Sequence, residues 1–221
     1  MLQRIDTPSG RFYQTPDGIF PSVTTVLSSI PHPELDAWRE AIGAEQADLI
    51  SQRAARNGTA MHAFCENYLK NENPVLDLLD KYRYTAIIPE LDKINPLEIE
   101  YMSWSTKLRV AGTMDCLGHY DGELSIIDFK STSRLKYDGE FDSYWLQCSM
   151  YAVMAYERLG LFANNLVIIM QDISSGECNV YTKKAKDWIP KLKKLRDAYD
   201  DKSALLSGMQ EYQTSLHPSK G

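Results

Sequence analysis

The sequence predicts an α/β fold in which a central mixed β-sheet is flanked by helices, with a helical N-terminal wall or arch. Helical patterns dominate residues 1–93, strand patterns dominate residues 94–182, and a long polar helix fills residues 183–221. Such an order is typical of a sheet covered by helices. We expect one domain over residues 1–221, because 43% apolar and 24% charged residues is an ordinary globular composition.

The first predicted element is a hairpin over residues 11–20. Its aromatic flanks surround a Pro-Asp-Gly turn at residues 16–18, where proline presets φ and glycine accepts a positive φ. Residues 21–27 then open a helix with Ser22 as its cap. Pro31 and Pro33 end this helix.

A longer helical pattern covers residues 34–71, with Gly43 and the Asn57-Gly58 pair as predicted joints. Helical spacing of apolar residues continues over residues 76–91. The residues that carry this spacing are Leu76, Leu79, Tyr82, Ala86, Ile87 and Leu91.

Strand patterns begin near residue 94. Three successive strands are predicted over residues 94–104, 108–120 and 123–132, with Asp121-Gly122 as the tight turn between the last two. A helix over residues 141–159, ended by Gly160, strands over 164–171 and 177–181, and a helix over 185–212 follow. A Ser174-Ser175-Gly176 turn joins the last two strands.

The charge pattern bears on partners and location. With 24 basic and 30 acidic residues the net charge is −6, which argues weakly against a partner held by bulk electrostatics, although metal-binding carboxylates add to this count. No apolar run approaches the roughly 20 residues of a membrane span, and residues 1–6 lack a signal peptide's apolar stretch. We therefore expect no membrane partner and a cytoplasmic location, in the host cytoplasm if the chain is phage-encoded.

The cysteines do not form a metal-binding pattern. Cys65, Cys116, Cys148 and Cys178 are far apart in the sequence, without zinc-ribbon or ferredoxin spacing. We expect four reduced, mostly buried thiols and no iron–sulfur cluster.

The most informative residues lie on the second and third predicted strands. Asp128 and Lys130 alternate with Ile127 and Phe129, so the two charged side chains share one face of the sheet. If the strands pair through the Asp121-Gly122 turn, Asp115 lies near Asp128. Two close carboxylates repel each other, and a divalent cation such as Mg²⁺ or Mn²⁺ relieves that repulsion.

A second acid-x-Lys sequence shows that this short pattern is weak alone. It is Asp200-Asp201-Lys202, which lies in a charged helical stretch without a preceding apolar strand, so a solvated helix face explains it. The Asp128 sequence follows a buried strand and comes 13 positions after Gly112-x-x-Asp115.

Taken together, Gly112-x-x-Asp115, Asp128-x-Lys130 and Gln147-x-x-x-Tyr151 resemble the motif set of the PD-(D/E)xK nuclease superfamily in its RecB-like branch. Residues 56–62, with Glu66 and Tyr68, resemble the helical histidine motif of that branch. Residues 21–27 are similar to the N-terminal stretch of small phage and mitochondrial exonucleases. The likeness spans residues 11–182, and it implies a restriction-endonuclease-like core.

The resemblance implies roles for the motif residues. Asp115 and Asp128 hold the metal ion, and the Phe129 carbonyl is a further candidate ligand. Lys130 orients or deprotonates the attacking water or stabilises charge on the phosphate, the alternative being a structural salt bridge. His62 is a candidate ligand on a helix, where a structural histidine is the alternative. Glu100, on the first strand, is either a ligand or a solvent-facing carboxylate.

Further candidates concern the substrate. Gln147 and Tyr151, one helical turn apart, either face nucleic acid or support the site, and simple packing is the alternative. Four cations near the motifs are candidate phosphate contacts or merely solvated, namely Arg53, Arg56, Lys107 and Arg109. Aromatic side chains that could stack on unpaired bases, of which we expect one or two at most to do so, are Tyr13, Trp38, Trp104, Tyr144 and Trp145.

These observations predict a Mg²⁺- or Mn²⁺-dependent deoxyribonuclease. The resemblance favours an exonuclease that acts on single-stranded or frayed DNA ends in replication, recombination or repair. The alternatives are a structure- or sequence-specific endonuclease on the same fold and a nucleic-acid-binding protein that does not cleave.

Overall fold

The computed structural model describes residues 2–72, 83–133 and 141–216, with side chains up to residue 203. Its strands are β1 (Gln3–Thr7), β2 (Gly10–Thr15), β3 (Gly18–Pro21), β4 (Ile94–Ser105), β5 (Val110–Tyr120), β6 (Glu123–Thr132), β7 (Asn165–Asp172) and β8 (Cys178–Lys184). Its α-helices are α1 (Val23–Leu27), α2 (Pro33–Ile42), α3 (Ala44–Leu69), α4 (Ile88–Leu91), α5 (Asp142–Leu159) and α6 (Ala185–Leu216). A 3₁₀ turn over Thr85–Ile87 precedes α4.

The central sheet has five strands in the order β4-β5-β6-β7-β8. Only the β6–β7 pair is parallel, and α5 provides the crossover between these two strands, as parallel neighbours require. The other neighbours are antiparallel. The sequence prediction of a mixed sheet flanked by helices is therefore confirmed.

Helices cover both faces of this sheet. On one face α1, α5 and α6 pack on apolar side chains such as Met114, Ile126 and Ile168. On the other face the C-terminal half of α3 and the short α4 pack on Ile127, Phe129 and related residues. Because successive residues of a strand face opposite layers, β6 contributes to both cores.

A smaller antiparallel sheet, β1-β2-β3, lies beside the central one. The predicted hairpin of residues 11–20 forms its β2–β3 pair, and Ser22 caps α1 by accepting a hydrogen bond from the Thr25 N–H. Ser22 also bridges to Ala111, which attaches this sheet to the start of β5. Strand β1 was not predicted, because its five residues are mostly polar and exposed.

One predicted joint is wrong. Helix α3 runs without interruption from Ala44 to Leu69, through Asn57 and Gly58, whereas Gly43 does separate α2 from α3. A Cβ atom at Gly58 would lie 3.7 Å from the Ser131 hydroxyl, so the helix passes close to the end of β6 there. Packing of the next two helical turns on the sheet keeps the helix continuous despite the weak local propensity.

The other predicted elements agree with the structure to within a few residues. The helical pattern of residues 76–91 is the exception, since only its last part, the 3₁₀ turn and α4, is described. Leu76, Leu79 and Tyr82 lie outside the described residues. Gly160 ends α5 in the left-handed conformation with φ +70°, as a glycine cap predicts.

Candidate active site

Strands β5 and β6 separate at the two motif aspartates. The strands are paired from Tyr120–Glu123 as far as Cys116–Ile127, and Asp115 and Asp128 are the next residue on each strand. Beyond this point a side chain replaces the backbone pairing between the strands. Oδ2 of Asp115 accepts a hydrogen bond from the Phe129 N–H at 2.9 Å. Asp115 and Asp128 therefore lie on adjacent strands where the sheet opens.

Asp128 and Lys130 share the face of β6 that points toward α5. The Lys130 Nζ lies 2.5 Å from Oδ2 of Asp128 and donates a hydrogen bond to Oε1 of Gln147 at 3.3 Å. It also lies 5.0 Å from the ring centre of Tyr144. The alternation of β6 residues predicted from the sequence is confirmed, and the ammonium group is held in place by α5.

His62 approaches Asp115 from α3. Its Nδ1 lies 3.4 Å from Oδ1 of Asp115, and its ring packs edge-on against Phe129 at 6.4 Å between centres. The apolar residues of α3 around Met61 and Cys65 pack on the sheet, and this packing presents His62 to the strand opening.

Glu100 lies opposite Asp115 on the neighbouring strand β4. The pairs Ile99–Cys116 and Tyr101–Met114 flank this position, but Glu100 itself has a φ of +50°. Non-glycine residues seldom adopt this conformation, and such strain is concentrated at functional sites. One candidate ligand atom each from His62, Glu100 and Asp115 lies within 4.8 Å of the others.

The carboxyl groups of this cluster differ in the direction in which their pKa values are shifted. Burial, with the negative charge of Asp115, raises the pKa of Asp128 to about 6 although Lys130 acts in the opposite sense. Burial and the charges of Asp115 and Glu66 raise the pKa of Glu100 to about 7. For Asp115 burial is outweighed by His62, Lys130 and the Phe129 N–H, so its pKa is lowered.

The cations of the cluster respond to the same charges. Burial alone would lower the pKa of Lys130, but the charges of Asp128 and Asp115 outweigh it and the pKa is raised. Burial is also the largest single influence on His62 and lowers its pKa, but the hydrogen bond with Asp115 and the charges of Asp115 and Asp128 together outweigh it, so the pKa is raised. The carboxylates therefore keep Lys130 charged and draw a proton toward His62.

The donor set suits a hard divalent cation. Asp128 is only 1% exposed, and its buried Oδ1 has no hydrogen-bond partner among the residues that the structure describes. Burying an uncompensated carboxylate oxygen is unfavourable unless it is paired or ligates a metal. The clustered donors are the carboxylates of Glu100 and Asp115 and the His62 imidazole, and Asp128 lies outside this cluster on the adjacent strand. Oxygen-rich sets of this kind match the sites of Mg²⁺ and Mn²⁺. Asp115, Asp128, Glu100 and His62 are the side chains that would hold such an ion.

Gln147 and Tyr151 lie behind Lys130 on α5. Gln147 accepts the hydrogen bond from Lys130, and Tyr151, one helical turn further along α5, is only 3% exposed. A Cβ atom on Gly112 would lie 3.2 Å from two atoms of Tyr151, so the close approach of α5 to β5 requires glycine there. Two functional roles were predicted for Tyr151, contact with nucleic acid and support of the site. Its burial favours the second role.

A cavity of about 260 Å³ opens beside the end of β6. Arg53 and Asn57 of α3 line it on one side, and Ser131 and Ser133, which follow Lys130, line it on the other. Arg53 is exposed and has no ion pair with a described residue. Ser131 and Ser133 were not singled out from the sequence, and alternation along β6 puts Ser131 on the face of Phe129, opposite to that of Lys130.

The remaining substrate contacts predicted from the sequence include a cation, Arg56, and the aromatic side chains. Arg56 is exposed on α3, and it is not one of the described residues that line this cavity. Of the aromatic candidates, Tyr13 and Trp145 are buried in the core, which excludes them as stacking platforms. Trp104 donates a hydrogen bond to Asp17. Trp38, on α2, is partly exposed.

The cysteines behave as ordinary core residues. Cys65, Cys116 and Cys148 are buried and Cys178 is partly exposed, all four as free thiols. Cys65, Cys116 and Cys178 belong to the layer under α3, whereas Cys148 lies in the layer on the opposite face of the sheet.

These features define a metal-site nuclease fold, and comparison with known families gives the same assignment. The family model of the PD-(D/E)XK nuclease superfamily matches residues 26–216, so the chain belongs to this superfamily, whose nucleases use divalent metals. No curated protein matches the sequence significantly. Within the described part of the chain, no helix has the length and apolarity that crossing a membrane requires.

Proposed function

We propose that the protein is a Mg²⁺- or Mn²⁺-dependent DNA exonuclease that hydrolyses phosphodiester bonds at single-stranded or frayed ends. The observation that carries this proposal is the convergence of Asp115, Asp128 and Lys130 where β5 and β6 separate. One buried oxygen of Asp128 there bonds to none of the described residues. Membership of a nuclease superfamily supports the reaction class.

A divalent ion bound by these carboxylates supplies Lewis acidity toward the phosphate and toward a water molecule. The chain itself supplies the remaining functions. Lys130, fixed between Asp128 and Gln147, brings a positive charge to the position where negative charge builds up on the phosphate. Asp115, anchored by the Phe129 N–H, keeps the two strands at a fixed separation, and the Phe129 carbonyl remains a proposed ligand.

The preference for DNA ends is supported by the surroundings of the site. Helix α2 has no buried residue, the first half of α3 is mostly exposed, and α3 lines the 260 Å³ cavity through Ile50, Arg53 and Ala54. Arg53, which forms no ion pair with a described residue, offers a positive charge along this path. We propose that these helices form the arch that guides one strand toward Lys130.

The test is digestion of circular and linear single-stranded DNA of the same sequence with Mg²⁺. The proposal predicts that linear DNA is degraded and the circle persists, and that the Asp128→Asn protein degrades neither. Rapid loss of the circle would identify an endonuclease on the same fold instead. If the wild-type protein cleaves no substrate with Mg²⁺ or Mn²⁺, the proposal fails, and binding of DNA without cleavage would then identify the non-cleaving alternative.

A further inference from the structure

A separate cavity of about 770 Å³ lies between the β2–β3 hairpin, α1 and α6. Arg109 lines this cavity from the residue just before β5, while Asp115 lies in the middle of that strand. Six residues of extended strand span about 20 Å, so the cavity is distinct from the candidate active site. Its described lining includes none of the candidate metal ligands.

The cavity carries an excess of positive charge. Arg109 and Arg196 both contact the single carboxylate of Asp200, and Lys202 lines the same space. Arg196 is only 7% exposed, and its Nε and Nη1 atoms have no hydrogen-bond partner among the described residues. Among the described residues, the Asp200 carboxylate is the one that pairs with both guanidinium groups, so one negative charge faces two positive charges.

Apolar and hydroxyl groups complete the lining. Phe12, Phe20 and Tyr199 provide aromatic surface. Ser28 and Ser29 at the end of α1 also line the space, although their hydroxyl groups donate hydrogen bonds to backbone carbonyls of α1. A concave site that combines apolar walls with a few charged groups is typical of small-ligand sites, and this volume falls in their usual range. Guanidinium groups favour phosphate, and aromatic rings favour the face of a base.

From this arrangement we propose that the cavity binds the 5′-phosphate of a nucleotide unit, with the base against the aromatic wall. Arg109 and Lys202 contact the phosphate, and the buried charge of Arg196 adds to the attraction. The unit is either a free nucleoside monophosphate or the terminal nucleotide of a DNA strand, which share this chemistry. Binding here requires no metal ion and does not depend on the proposed nuclease reaction.

The test is calorimetric titration of the full chain with 2′-deoxyadenosine 5′-monophosphate in EDTA. We expect the monophosphate to bind to the wild-type protein. Deoxyadenosine, which lacks the phosphate, should not bind. Arg109→Gln should weaken binding about tenfold or more, the effect of losing a charged hydrogen-bond donor. Lys193→Gln, which removes an exposed charge from the same helix α6, should leave affinity unchanged.

A second variant should change the affinity for the monophosphate in the opposite direction. Asp200→Asn removes the carboxylate that the two arginines share, so phosphate binding should become several-fold tighter. Absence of binding to the wild type, or affinity unchanged in both Arg109→Gln and Asp200→Asn, would overturn the proposal. A 5′-phosphorylated oligonucleotide that displaces the monophosphate identifies the strand end as the ligand, whereas failure to displace it identifies the free nucleotide.

Discussion

The Asp115 carboxylate accepts a hydrogen bond from the Phe129 N–H through Oδ2 and faces His62 through Oδ1. One oxygen therefore bonds to the backbone of the neighbouring strand, and the other lies among the candidate metal ligands. Because Phe129 follows Asp128 directly, this bond also sets how far Asp128 lies from Asp115. Asp115 would therefore bind the ion and also fix the distance between β5 and β6 where the two strands separate.

This dual role predicts different effects for two substitutions. Asp115→Ala should lower the free energy of unfolding by about 1–3 kcal/mol, because the buried Phe129 N–H loses its acceptor. Asp115→Asn keeps an oxygen at that position and should lose much less stability, although both variants should lose stabilisation by added Mn²⁺. Urea denaturation with EDTA and with Mn²⁺ measures both effects, and an Asp115→Ala protein as stable as the wild type contradicts the structural role.

Lys130 should act on catalysis and not on metal retention. Lys130→Gln removes the charge beside the phosphate, and we expect DNA cleavage to slow by about 10²–10⁴-fold. Mn²⁺ should bind at least as tightly as before, because a positive charge next to Asp128 has been removed. Single-turnover cleavage and calorimetric Mn²⁺ titration separate these quantities.

The matched control for Lys130→Gln is Lys193→Gln, which removes an exposed lysine of α6. It should cleave DNA at close to the wild-type rate. If excess metal ion restored full activity to Lys130→Gln, the lysine would act through the metal site, and its assigned role would be wrong.

The raised pKa values of Glu100, about 7, and Asp128, about 6, predict how stability without metal depends on pH. Both carboxyl groups bind a proton more tightly in the folded than in the unfolded chain, so their contribution to stability is lost as pH rises from about 4 to 7. Adding Mg²⁺ at pH 7.5 should restore stability, since the ion then takes the place of the protons.

Thermal unfolding in EDTA across this pH range measures the effect. In Glu100→Gln the loss of stability with rising pH should be smaller than in the wild type. Glu98→Gln, which changes a carboxyl group on the same strand outside the cluster, should follow the wild-type curve. Identical pH dependence in Glu100→Gln and the wild type would show that Glu100 does not have a raised pKa.

Two glycines predict opposite changes in stability. Gly112→Ala should destabilise the protein by about 1–3 kcal/mol, because the new methyl group would meet Tyr151 at 3.2 Å and Val23 at 3.4 Å. Gly58→Ala should stabilise it by about 0.5–1 kcal/mol, because Gly58 lies within α3 and its nearest neighbour is 3.7 Å away. Urea denaturation distinguishes them, and equal effects would refute the close packing of α5 on β5.

The central strands and the motif aspartates were predictable because their local signals agree. Alternating apolar residues around Asp128 and the Asp121-Gly122 turn fix both the pairing of β5 with β6 and its register. The same signals place Asp128 and Lys130 on one face of the sheet, as the structure confirms.

Other features depend on contacts between residues that are distant in sequence. The left-handed conformation of Glu100 has no local signal, since glutamate seldom adopts it. Asn57-Gly58 is typical of a turn, yet tertiary packing keeps α3 helical there. The excess charge of the larger cavity arises only when α6 brings Arg196 and Asp200 to Arg109, 87 or more positions earlier.

The central claim is that Asp115 and Asp128 hold a divalent ion where Lys130 meets a DNA phosphate. Its most direct test is calorimetric Mn²⁺ titration of the wild type, Asp128→Asn and Asp201→Asn, with DNA cleavage measured on the same samples. We predict that Asp128→Asn loses both ion binding and cleavage, whereas Asp201→Asn, an exposed residue of the second acid-x-Lys sequence, keeps both. Unchanged Mn²⁺ affinity and cleavage in Asp128→Asn would contradict the claim.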